Sequence, residues 1–153
     1  MSYPNIFEFA SKELTQDAMV CWLLKCAEQP EQNIGRDFIK IILPEADDNF
    51  TFESTAKQQY SRMDVYTCIE SNGKLYPIIF EDKVNTTLHD NQLERYCSKV
   101  MEWFSDNEKC DKITYVYFKS GYMFASEKIR IKKKIDELNH ENKNQGLLLI
   151  LNP

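Results

Sequence analysis

The chain offers little from which to build a histidine or thiolate metal site. It has two histidines, His89 and His140, far apart in sequence, and five cysteines with no C-x-x-C pair among them. A zinc site on histidine or a Cys-His dyad therefore has almost nothing to draw on, and the odd cysteine count argues against a disulfide framework. Cys21, Cys26, Cys68, Cys97 and Cys110 are expected as buried, reduced thiols. No apolar run is long enough to cross a bilayer, and the N-terminus lacks the charged-then-apolar pattern of a secretion signal. A cytoplasmic protein with no membrane partner is the expectation. Internal repeats and low-complexity tracts are missing as well. Positive charge is not in excess, since the formal net charge is -5, which argues against coating nucleic acid through bulk electrostatics. That balance leaves room for an enzyme whose carboxylate-rich cleft is neutralised by bound divalent ions.

What is present suits one globular domain. With 153 residues, 42% of them hydrophobic, residues 1–153 can close a single core without a linker. The aromatic-rich opening, Tyr3 to Phe9, is expected to pack. Ser11 or Thr15 offers a cap for a helix over Glu13 to Leu24 whose broad apolar face makes it mostly buried. Glu13 and Asp17 lie one turn apart near its start, where acids suit the helix dipole. A second helix is expected over Ile34 to Leu43, then strands over Phe50 to Tyr60, Met63 to Glu70 and Leu75 to Val84. The last two are joined by the hairpin signal Asn72-Gly73. Pro77 should stand near the start of its strand, with its missing donor facing outward or at a bulge. A helix over Leu88 to Phe104, a doubly buried strand over Lys112 to Lys119, a helix over Ser126 to His140 and a strand over Leu147 to Leu151 complete the order. In the helix over Ser126 to His140, Ile129, Ile131, Ile135 and Leu138 are expected inside, and the basic run Lys128 to Lys134 outside as a solvated face. This order implies an α/β fold, a three-layer α/β/α arrangement with a central mixed sheet. The chain stops directly after its last strand, so either the domain is minimal or a C-terminal extension is lacking.

The chemistry concentrates in Ser61-Arg62-Met63-Asp64-Val65-Tyr66 and Pro77-Ile78-Ile79-Phe80-Glu81-Asp82-Lys83-Val84. Alternation along a strand sends Glu81 and Lys83 to one face and Phe80 and Asp82 to the other. With Asp64 on the neighbouring strand at the same height, two carboxylates converge where a hard cation binds through oxygen, beside an ammonium. An ordinary ion pair among Asp64, Glu81 and Lys83 at a sheet edge is the plain alternative.

Asp64, then Glu81-Asp82-Lys83, then Gln92 and Tyr96 together resemble the D…E-x-K…Q-x-x-x-Y pattern of the PD-(D/E)XK nuclease superfamily. The segments Asn5 to Ala10, Glu13 to Ala18 and Trp22 to Leu24 are similar to the opening of a bacterial and prophage branch of it. Met63 departs from the family name by standing where a proline is expected, and Asp82 is polar where many relatives carry an apolar residue. The resemblance implies a restriction-endonuclease-like fold and a sheet-borne site for Mg2+ or Mn2+ held by Asp64, Glu81 and the backbone carbonyl of Asp82. It implies that Lys83 orients the attacking water, that Glu13 completes the metal environment with Asp17 as its rival, and that Gln92 touches the water or the phosphate. Tyr96 would support Gln92 or contact the substrate strand.

The expected activity is metal-dependent hydrolysis of phosphodiester bonds in DNA, with RNA open, in a defence or mobile-element setting. Lys132 and Lys133, with the neighbouring aromatics Tyr122 and Phe124, are candidate nucleic-acid contacts, and a homodimer is compatible with the sequence. The rival from another class is an inactive nuclease-fold module that binds nucleic acid or a protein partner. A weaker one is an enzyme acting on small phosphate esters.

Overall fold

The computed structural model describes residues 16–29, 31–83, 91–120, 123–140 and 144–151. Its elements run α1 (Gln16–Ala27), α2 (Asn33–Ile42), β1 (Thr51–Tyr60), β2 (Met63–Ser71), β3 (Lys74–Lys83), α3 (Gln92–Trp103), β4 (Ile113–Ser120), α4 (Ala125–Asn139) and β5 (Asn144–Leu151). One mixed sheet takes the strands in the order β1-β2-β3-β4-β5. The first three form an antiparallel meander, whereas β4 runs parallel to both β3 and β5. Parallel neighbours need a crossover connection, which is the place α3 and α4 take in the chain.

Two local signals set this frame. The β2–β3 hairpin closes on Asn72 and Gly73, both with positive φ (53° and 74°), as the twist of a two-residue turn requires. The β1–β2 connection turns on Ser61 and Arg62, also left-handed at φ 55° and 70°, although neither is glycine or asparagine. The stretch that opens at Ser61 is therefore a tight turn before it becomes a strand.

The sheet is covered on both faces, which is why β3 and β4 are apolar at nearly every position. On one face α1 and α2 pack against Val65, Ile69, Ile78, Phe80 and Val116; on the other, α3 and α4 pack against Tyr66, Cys68, Ile79, Tyr115 and Tyr117. The fold is thus the expected three-layer α/β/α. Helices α1 and α2 touch at Gly35, where a Cβ would come within 2.2 Å of the Ala27 backbone nitrogen. All five cysteines are free and buried.

Pro77 stands in a central strand. Leu75 donates to Lys109 and accepts from Asp111 through its backbone, so Pro77, two residues on, turns its nitrogen to the same side. The ladder to β4 begins only at Ile78. The missing donor thus falls in the gap between that bridge and the ladder.

One expected core position is corrected. Ile129 is 70% exposed, whereas Ile131, Ile135 and Leu138 are buried, and the fourth inward place on α4 belongs to Glu127. Positions 127, 131, 135 and 138 follow helical spacing; 129 and 131 lie about 200° apart around the axis. Ile129→Lys is accordingly expected to leave the urea midpoint nearly unchanged, within about 0.5 kcal/mol of stability. A large loss would return Ile129 to the core.

Candidate functional site

The candidate site forms where β2 begins and β3 ends. The antiparallel register pairs Val65 with Phe80, and one further step sets Asp64 opposite Glu81. An Asp64 carboxylate oxygen, Oδ2, accepts the backbone N–H of Asp82 at 2.7 Å, and Gln59 Nε2 donates to Oδ1 at 3.3 Å. Lys83 Nζ lies 2.6 Å from Glu81 Oε1. The Gln92 amide donates to that same oxygen from the first turn of α3, and to the Tyr96 hydroxyl at 3.1 Å. Tyr96 in turn donates to the Arg62 carbonyl at 2.5 Å. One chain of hydrogen bonds therefore runs from the strained β1–β2 turn through α3 to Glu81. Left-handed backbone at Gln59, Ser61 and Arg62 costs on the order of 1 kcal/mol per residue, and such strain concentrates at functional sites.

Electrostatics here are unbalanced. Glu81 is 1% exposed, and burial pushes its carboxyl up to about 7; the Lys83 hydrogen bond opposes that rise and the Asp64 charge adds to it. Asp82, on the opposite face, is also pushed up to about 7, by burial first and then by the charges of Asp64 and Asp17. Glu81 Oε2 and Asp82 Oδ1 are buried with no hydrogen-bond partner among the described residues. On the face shared with Asp64, the Glu81 oxygen that has no donor among the described residues and the raised Glu81 carboxyl mark a place short of positive charge. That is the condition in which a divalent cation fits, and the oxygen-only donor set suits Mg2+ or Mn2+. Among the described residues no group of three or more His, Cys, Asp or Glu side chains is arranged to hold a metal ion. Asp64 and Glu81 are thus a pair, which a backbone carbonyl such as that of Asp82 would have to supplement.

The residues singled out in the sequence divide clearly. Asp64, Glu81, Lys83, Gln92 and Tyr96 come together, on two interior strands and α3 and not at a sheet edge. The Asp82 side chain points away from Glu81, toward α1, while its backbone N–H supports Asp64. Glu13 and Tyr122 lie outside the described residues. Asp17, the rival to Glu13, is buried and accepts a hydrogen bond from Gln58 at 2.6 Å. Lys132 and Lys133 are exposed on α4, as is Phe124, while Lys134 pairs with Glu94 of α3 at 2.9 Å.

Sequence reasoning missed a second charged pair beside this site. Lys119, in register with Lys83 on the neighbouring strand, is 2% exposed and lies 3.4 Å from Glu127 of α4, itself 7% exposed. A lysine closing an otherwise apolar strand was the available signal.

Residues 4–145 match the family described as the PD-(D/E)XK nuclease superfamily. No curated protein and no solved structure matches the chain.

Proposed function

The chain belongs to the PD-(D/E)XK nuclease superfamily, and from that premise we propose that it is a metal-dependent nuclease that hydrolyses phosphodiester bonds, with DNA as its substrate. The observation that carries this reading is the opposition of Asp64 to the Glu81-x-Lys83 pair, with a buried Glu81 oxygen that has no donor among the described residues. Asp64, Glu81 and the Asp82 carbonyl would hold Mg2+ or Mn2+, with Glu13 or Asp17 completing the surroundings. When bound, such an ion supplies Lewis acidity toward the phosphate and its leaving oxygen.

The chain's own residues do the rest. Lys83 orients the water that attacks phosphorus and steadies the charge gathering on the phosphate oxygens as the P–O bond breaks. Gln92 holds Glu81 in place by donating to Oε1, and Tyr96 holds Gln92. Ordering of both partners before the reaction is what makes such a site effective.

The test is a substrate panel: supercoiled plasmid, single-stranded DNA, RNA and a chromogenic phosphodiester, each with Mg2+ or Mn2+. Cleavage of DNA that disappears in chelator is the expected result, accompanied by calorimetric Mn2+ binding that Asp64→Asn removes. Cutting of the small ester alone would defeat the nucleic-acid assignment, and Mn2+ binding indifferent to Asp64 would defeat the metal site.

A further inference from the structure

Near the Asp64–Glu81 pair lies a cavity of about 370 Å³ lined by Ser61, Arg62, Arg95, Tyr96 and Lys99. Three of the five described residues that line it are cations, and no acid is among those five. That is unusual in a chain of net charge -5. Elsewhere on the surface Lys25, Lys40, Lys74, Lys112 and Lys134 each pair with a carboxylate. Arg62, Arg95 and Lys99 form no ion pair among the described residues, and each is exposed or half-buried. Like charges gathered without a counter-charge among the described residues are unfavourable in the free protein, and an anion among them would relieve that repulsion. Tyr96 joins it to the candidate site, because the hydroxyl that meets the Arg62 carbonyl is also bonded to Gln92, and Gln92 to Glu81.

The same helix face continues into aromatics. Arg95, Lys99 and Trp103 follow one another at four-residue spacing, so they share a stripe of α3 about 12 Å long. Trp103 is 40% exposed and Tyr60 37% exposed, and their ring centroids are 5.5 Å apart, with Tyr66 as close to each. Lys57 Nζ stands 4.5 Å from the Tyr60 ring centre. These rings border a second cleft of about 270 Å³.

We propose that this face is a track for an unpaired nucleic-acid strand, its phosphates on Arg62, Arg95 and Lys99 and a base stacked on Trp103 and Tyr60, leading toward the Asp64–Glu81 site. The proposal rests on the nuclease reading for its direction and deepens it by naming the substrate class. Cations in a row with aromatics beside them are what a single strand uses, and stacking on a side chain needs a base face that a duplex keeps covered. The strained Ser61–Arg62 turn belongs to the same device, since it carries Arg62 to the cavity's rim while Tyr96 fixes its backbone.

The experiment uses the full chain carrying Asp64→Asn, so that nothing is cut, and Trp22→Phe, so that Trp103 is the one remaining tryptophan. Fluorescein-labelled eight-nucleotide DNA, the same sequence in RNA, and a blunt DNA duplex are titrated by anisotropy while tryptophan emission is followed. A single strand of either sugar should bind at least about tenfold tighter than the duplex and quench Trp103. Trp103→Ala should weaken the single strand about tenfold and leave the duplex unchanged. Arg95→Ala with Lys99→Ala should weaken it similarly and flatten the salt dependence by about 1.4 in slope. Equal affinity for strand and duplex with unquenched emission, or variants that bind like the parent, overturns the track. Binding of the expected kind by a protein that cuts nothing keeps the track and removes the nuclease reading. DNA cleavage that the Trp103 and Arg95/Lys99 variants leave intact keeps the nuclease and removes the track.

Discussion

Lys83→Met is expected to slow metal-dependent cleavage by about 10³-fold under single-turnover conditions at saturating Mn2+, while Mn2+ binding persists. The magnitude follows from losing one preorganised charge aimed at a phosphate whose charge grows in the transition state. Methionine keeps most of the apolar stem, so packing around the half-buried Lys83 changes little. Glu81 loses its 2.6 Å partner but keeps the Gln92 donor on the same oxygen. Asp64→Asn should lose cleavage and Mn2+ binding together, which separates a residue that works on the phosphate from one that holds the ion. If Lys83→Met retained a tenth of the parent rate, its ammonium would be only the counter-ion of Glu81.

Without divalent ions the protein should be less stable at pH 8 than at pH 5.5, by about 2 kcal/mol from Glu81 alone. The Glu81 carboxyl titrates near 7 when folded, against an ordinary 4.5. The folded state therefore favours the protonated form, and its stability is fully present below the ordinary value. It falls as pH rises through about 7, as the buried carboxylate ionises beside Lys83, its charged partner among the described residues. Asp82, also raised to about 7, acts in the same direction. Saturating Mn2+ should reverse the loss, since an ion that binds only the folded state at a hundred times its Kd contributes about 2.7 kcal/mol. Urea denaturation at both pH values, in chelator and in Mn2+, is the measurement. A metal-free stability that stays level or rises toward pH 8 would contradict the charge imbalance at this site.

How much of this was legible in the chain depended on whether the signal was local. Asn72-Gly73 declared its hairpin, and alternation over Pro77 to Lys83 assigned Glu81 and Lys83 to one face. The β1–β2 turn was harder, because Ser61-Arg62 lacks the usual glycine or asparagine and is held instead by Tyr96, 34 residues later. Ile129 was misplaced because isoleucines at 129 and 131 both look internal until a helical period chooses between them. The basic cavity was invisible for a different reason. Arg62 on a turn and Arg95 and Lys99 on a helix become neighbours only through the fold, whereas the conspicuous lysine run of α4 drew attention to a solvated surface. The match over residues 4–145 supports the family named from Asp64, Glu81-Asp82-Lys83 and Gln92. The role of each of those residues is what the variants test.

The five buried thiols give the molecule a built-in record of its own breathing. Burial, with the nearby Asp17 charge adding to it, pushes Cys21 up to about 12, and burial likewise raises Cys26 and Cys68. Alkylating reagents attack the thiolate, so a folded molecule should resist iodoacetamide until a segment opens. Cys21 and Cys26 sit on α1, Cys68 and Cys97 between the sheet and α3, and Cys110 just ahead of β4. The order in which mass spectrometry finds them carbamidomethylated would reveal which layer peels away first.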